Sequence, residues 1–119
     1  MDLEKYLEDQ NRVVLCGANS YEQKYFFNEK FNNLPESIKE ELHVITVLFT
    51  EEVGGIFLIG FDEDGDVFLT ADPGQEDIYY DEISSGLLVG EIRRKRAELF
   101  EQLSLYFRMM QEGEFDKLR

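Results

Sequence analysis

Hydrophobic positions change their spacing several times along this chain, and each change marks an element. Val13-Val14-Leu15-Cys16 is a continuous, β-favouring run that ends at the turn-forming Gly17-Ala18-Asn19-Ser20. Tyr21 to Asn28 follows with Tyr21, Tyr25, Phe26 and Phe27, and the two segments together predict a first β-hairpin. Its second arm has a helical alternative, because Tyr21, Lys24 or Tyr25 and Asn28 also fit one face of a short helix. Asn32-Asn33-Leu34-Pro35 interrupts the pattern, and Pro35 followed by Glu36 and Ser37 suits the opening of a helix. Ile38, Leu42, Ile45, Phe49 and Val53 then fall three or four apart as far as Gly54-Gly55, which predicts a helix over about 36–53. The β-branched run Val44 to Phe49 offers a rival, with the helix stopping near Glu41 and a strand following. Periodicity and the double glycine favour the helix.

Two hydrophobic runs, Ile56 to Phe61 and Asp66 to Thr70, are joined by Asp62-Glu63-Asp64-Gly65 and predict a second β-hairpin. A turn-rich link over 71–76 leads to a long helix from about Asp81 to Gln111, with apolar positions Leu88, Ile92, Leu99, Leu103, Tyr106 and Met110. The mixed spacing of Met1 to Gln10 suits a short or frayed helix, and the tail from Gly113 to Arg119 reads as loose. The order is therefore ββαββα. That predicts an α+β fold, an antiparallel sheet from two β-hairpins with two main helices on one face. We read residues 1–119 as a single domain with its core over about 12–111.

Charge narrows the classes of partner. Twenty-six acids against twelve bases give a net charge of −14, a poor electrostatic match to nucleic acid or anionic lipid. Ten Phe and six Tyr supply ample apolar surface for one core. The single cysteine, Cys16, excludes an internal disulfide, and the sequence shows neither a signal-peptide pattern nor an apolar run long enough for a membrane span. Cytoplasm is the expected location.

The search for chemistry is mostly negative. One histidine, His43, and one cysteine cannot supply a zinc or iron site, so we expect no specific metal and no cofactor. His43 lies within the first predicted helix and reads as a helix-face or core residue, and no serine sits in a nucleophile-elbow pattern. Asp62-Glu63-Asp64-Gly65-Asp66 resembles the front of a calcium loop, yet Val67 stands where the obligatory glycine belongs and Pro73 where the bidentate glutamate belongs. The nine acids and no base between Asp62 and Glu82 read as a solvated edge. Glu51 and Glu52, beside Gly54-Gly55, are the only carboxylates with a case for catalysis. Gly86 and Gly90, four apart near the start of the last helix, suggest close packing against another element.

Arg93-Arg94-Lys95-Arg96 gathers four of the twelve bases in one helical turn. The bland expectation is that these side chains lie over the sheet and pair with acids such as Glu91, Glu98 or those of the second hairpin. The functional one is a site for a small anion, a nucleotide or an acidic partner, with Tyr79 and Tyr80 as neighbours. Aromatic area gives a second candidate. Tyr21, Tyr25, Phe27 and Phe31, with Leu103, Tyr106 and Met110 from the last helix, are read either as core or as an interface with a protein partner or a second copy.

The segments Leu15-Cys16-Gly17-Ala18, Tyr25-Phe26-Phe27-Asn28, Leu48-Phe49-Thr50-Glu51-Glu52-Val53-Gly54-Gly55 and Tyr80-Asp81-Glu82-Ile83 resemble those of an uncharacterised bacterial family of short acidic proteins. The likeness covers most of 13–107 and implies a bacterial cytoplasmic origin, with no catalytic residue to carry over. At the level of fold, a helix, Gly-Gly, a hairpin turning on Asp-Gly and a second helix are also similar to the start of roadblock-type dimerisation domains, whose further strands are missing here. The leading expectation is a noncatalytic interaction module, homodimeric in its simplest form. An anion-responsive binder comes next, and a carboxylate enzyme last.

Overall fold

The computed structural model describes residues 12–74 and 76–111. The helix expected over Met1 to Gln10 and the loose tail from Gly113 to Arg119 lie outside them. The elements are β1 (Val13–Asn19), β2 (Lys24–Phe27), a 3-10 turn (Glu29–Phe31), α1 (Glu36–Val53), β3 (Ile56–Phe61), β4 (Val67–Asp72), α2 (Glu82–Lys95) and α3 (Ala97–Gln111). The strands form one sheet in the order β2-β1-β3-β4, each antiparallel to its neighbour. This is the α+β, ββαββα arrangement that the hydrophobic pattern predicts, and α1 has the predicted bounds.

The first hairpin differs from the expectation at its turn. β1 does not stop at Gly17 but runs on to Asn19, with Gly17 paired to Phe26 on one side and Leu58 on the other. Glycine stays in the strand because the Leu58 side chain lies directly over its Cα, where a Cβ would overlap it. The reversal falls at 20–23 instead, so Tyr21 sits in the turn and not in β2. Asn19 fixes that turn, its Oδ1 accepting from the Tyr21 and Glu22 amides at 2.9 and 3.2 Å. A β-bulge between Val14 and Cys16 leaves Leu15 as the extra residue, and both Leu15 and Cys16 reach the core.

In α1 the buried residues Leu42, Ile45, Thr46, Phe49 and Thr50 make one stripe at helical spacing, while Val44 and Leu48 are exposed. The two buried threonines satisfy their hydroxyls within the helix, Thr46 on the Leu42 carbonyl (3.0 Å) and Thr50 on that of Val47 (3.1 Å). Gly54 and Gly55, at φ 81° and 76°, take the left-handed conformations that end the helix.

The single long C-terminal helix expected from the sequence is two helices. Arg96 (φ −114°, ψ 22°) breaks it between α2 and α3 without a glycine or proline. A straight helix over 82–111 would span about 45 Å, against roughly 20 Å for a six-residue strand, so a bend is needed for both halves to pack on the same sheet. Leu88, Val89 and Ile92 of α2 and Leu99, Phe100, Leu103 and Phe107 of α3 join the core that α1 covers, so three helices share one face.

Aromatic rings make the main joints of that core. Phe49 of α1 stacks on Phe57 of β3 with centroids 4.1 Å apart, and Phe61 of β3 stacks on Phe107 of α3 at 4.3 Å. Phe31 tilts against both Phe61 and Phe107. On the other face of the sheet Val14, Leu58 and Phe68 form a second, smaller cluster, with Phe26 and Ile56 against it. There the Phe68 ring covers Gly60, whose absent Cβ would meet both the ring and the Val13 carbonyl oxygen. We therefore expect Gly60→Ala to lower stability by about 1–3 kcal/mol through overpacking. Urea unfolding checks this, and an unchanged midpoint would show that β1 and β3 separate at no cost.

Candidate functional site

The basic run occupies the last turn of α2 and the corner before α3, and all four residues are exposed. Lys95 Nζ pairs with Glu91 at 2.5 Å along the same helix, and Arg96 reaches across to Glu41 of α1, also at 2.5 Å. The hydrogen bond from Lys95, then its charge, holds the Glu91 carboxyl below its ordinary range. Arg93 and Arg94 are exposed. Tyr79 and Tyr80 are not their neighbours: both precede α2, which puts its full length of about 20 Å between them and the basic turn. Tyr80 turns inward, its hydroxyl 2.6 Å from Ser85 Oγ.

The approach to α2 is fixed from the first hairpin. The Tyr21 hydroxyl donates to Asp77 Oδ2 at 2.5 Å and accepts from the Gly74 amide at 2.8 Å. Desolvation and the bond to Asp77 both raise the phenol's pKa. Asp81 then caps the helix, its Oδ1 accepting from the Ile83 and Ser84 amides at 3.0 Å each while Ser84 Oγ donates to Oδ2 at 2.7 Å. The bonds from Ser84 lower the Asp81 pKa.

Held in this way, α2 directs Ser85, Leu88, Val89 and Ile92 inward. Its opposite side carries Ile83 and Leu87, 77% and 72% exposed, and an added Cβ at Gly86 or Gly90 would meet nothing within 4 Å. Ile78 and Tyr79, just before the helix, are 83% and 90% exposed. Four of the eight large exposed hydrophobic residues among those described thus fall in one ten-residue stretch. This surface was missed from sequence because Leu88 and Ile92 already supplied an apolar face. The available signal was a second apolar pair, Ile83 and Leu87, on the other side of the helix.

The aromatic candidates do not assemble into one surface. Phe31 and Leu103, each 2% exposed, belong to the core, and Tyr25, Phe27, Tyr106 and Met110 pack partly buried against it. Tyr21 is engaged with Asp77 and Gly74.

A cleft of about 570 Å³ lies between the first turn and α1, lined by Gln23, Lys24, Tyr25, His43, Thr50 and Glu51 among others. His43 is an exposed helix-face residue, and its imidazole stacks on the Tyr25 ring at 4.2 Å. The Tyr25 hydroxyl ends in a buried position with no well-formed hydrogen bond; the Cys16 thiol is its interacting polar group, and burial first and then that thiol raise its pKa. Burial pushes the Cys16 thiol up to about 12, offset only in part by the Tyr25 hydroxyl. A thiol so held is no nucleophile at neutral pH. Glu51 borders this cleft, and Glu51 and Glu52 are both exposed.

The acidic hairpin turn is occupied by its own chain. Asp62 Oδ1 accepts from the Asp64 and Asp66 amides at 2.9 and 3.0 Å, and Gly65 takes φ 85°. Arg108 of α3 lies over Gly65, donates to the Asp64 carbonyl and pairs with Asp66. Among the described residues no three His, Cys, Asp or Glu side chains converge as metal ligands.

Two outcomes follow from the buried pair. Tyr25→Phe removes an unsatisfied hydroxyl and should stabilise the fold by about 1 kcal/mol in urea unfolding; a loss of that size would mean the hydroxyl is bonded after all. Because the folded pKa of Cys16 is raised, its contribution is full below the unfolded value of 9.0 and is lost as pH rises towards 12. Stability should therefore fall over that interval, with a shallower slope in Cys16→Ala; equal slopes would show that the thiol plays no part in the decline.

The model of the Family of unknown function (DUF6145) matches residues 12–115. No curated protein and no solved structure matches the chain. Since the matched span takes in every element from β1 to the end of α3, the chain belongs to DUF6145, a family of unknown function.

Proposed function

We propose that this protein is a noncatalytic interaction module of the bacterial cytoplasm that holds a protein partner on the outer face of α2. The observation that carries this reading is the exposure of Ile83 and Leu87 side by side on a helix whose other side is already packed. Exposed apolar side chains in one patch cost solubility and gain free energy when another protein covers them. The −14 charge supports a protein partner over nucleic acid or an anionic membrane surface, and a lone buried thiol suits a reducing compartment. No described helix is long and apolar enough to cross a membrane. Glu91 and Glu41 already engage Lys95 and Arg96, which favours the basic turn as a charged rim to that face over a separate anion site.

A photo-crosslinking residue placed at Leu87 in living cells should give adducts of discrete mass, whereas one at the exposed Glu101 of α3 should not. No adduct from position 87, or the same pattern from both positions, would overturn the assignment.

A further inference from the structure

The outer face of α2 has a spacing that reads the same from either end. Ile83, Leu87, Gly90 and Arg94 succeed one another at intervals of four, three and four, on the side of the helix opposite Ser85, Leu88 and Ile92. Reversing such a helix lays the stripe upon itself. We infer that the occupant of this face is α2 of a second copy of the chain, running antiparallel about a two-fold axis that passes between Leu88 and Val89. The inference rests on the reading of this face as a partner-binding surface and names the partner.

Three features fit that arrangement. Leu87 comes opposite the partner's Gly90, and the reciprocal pairing is identical, so each leucine enters the hollow that a glycine leaves. Gly90 and Gly86 weaken the helix relative to alanine and adopt no left-handed φ, and a Cβ added at either would meet no atom within 4 Å beyond its own stretch of helix, so no close approach inside the described fold requires them. Charge then selects the direction. Asp81 and Glu82 open α2, whereas Arg93, Arg94, Lys95 and Arg96 close it. Antiparallel pairing brings the acidic start of each α2 to the basic end of the other and lays Ile83 along the aliphatic stem of the partner's Arg94, with the helix dipoles opposed. Parallel pairing would bring two sets of four cations together.

Light scattering on a sizing column, with the full chain, should give twice the 14.0 kDa chain mass. Leu87→Glu should weaken the dimer by at least about 30-fold, because the two-fold axis removes a central leucine from both halves of the interface at once. Gly90→Leu should also give monomer while the helical circular-dichroism signal is kept, because a Cβ added there meets no neighbouring atom within 4 Å in the single chain. Leu87→Cys mixed with Gly90→Cys should form a mixed disulfide faster than Leu87→Cys forms one with itself; buried Cys16 stays silent. A dimer that survives Gly90→Leu, or faster Leu87 self-linkage, overturns the antiparallel pairing. A monomer at the highest soluble concentration overturns self-association itself. Discrete adducts from position 87 would in that case leave the interaction reading standing with a different partner, and their absence would remove both.

Discussion

Two stacked phenylalanine pairs, Phe49 on Phe57 and Phe61 on Phe107, fasten the helices to the sheet, and most other placements depend on them. Both sheet partners lie on β3, the strand between β1 and β4, so one strand serves as the anvil for α1 and α3 alike. The rings can meet only if β3 presents Phe57, Ile59 and Phe61 to the same side, which its regular pairing with β4 ensures. β1 adapts through its bulge, which adds Leu15 to the same side without moving β3. On the far side Gly17 and Gly60 are bare, and Leu58 and Phe68 lie down across them.

Much of this was legible in the sequence where local chemistry and burial agree. The stripe from Ile38 to Val53 ended at two glycines that do adopt positive φ, so the helix prevailed over a β-branched run that lies partly exposed. The second hairpin was legible for the same reason, since Gly65 takes the left-handed position that its turn requires. Gly17 misled because the same residue that breaks a strand in isolation permits one when a neighbouring leucine must lie across it. The break at Arg96 left no local mark: its causes are the length of the sheet and an ion pair to Glu41, both nonlocal.

The candidate site was legible in part. The basic turn and the glycines Gly86 and Gly90 were visible as anomalies, but what they border became clear only once one side of α2 was known to be packed. Composition ranks aromatic residues high as interface candidates, and Phe31 shows the weakness of that ranking. In a small fold the largest rings are the ones the core can least spare.

The bond from Tyr21 to Asp77 spans 56 positions of the chain, and its consequence concerns cooperativity. Tyr21 stands in the first turn and Asp77 on the ramp that leads to α2, so early and later parts of the described fold share a polar fastening besides the common core. With Gly74 donating to the same oxygen, opening either the ramp or the turn breaks two hydrogen bonds at once and hands their groups to water. The seating of α2 is thereby tied to a hairpin on the far side of the sequence, so the cost of opening one is shared with the other.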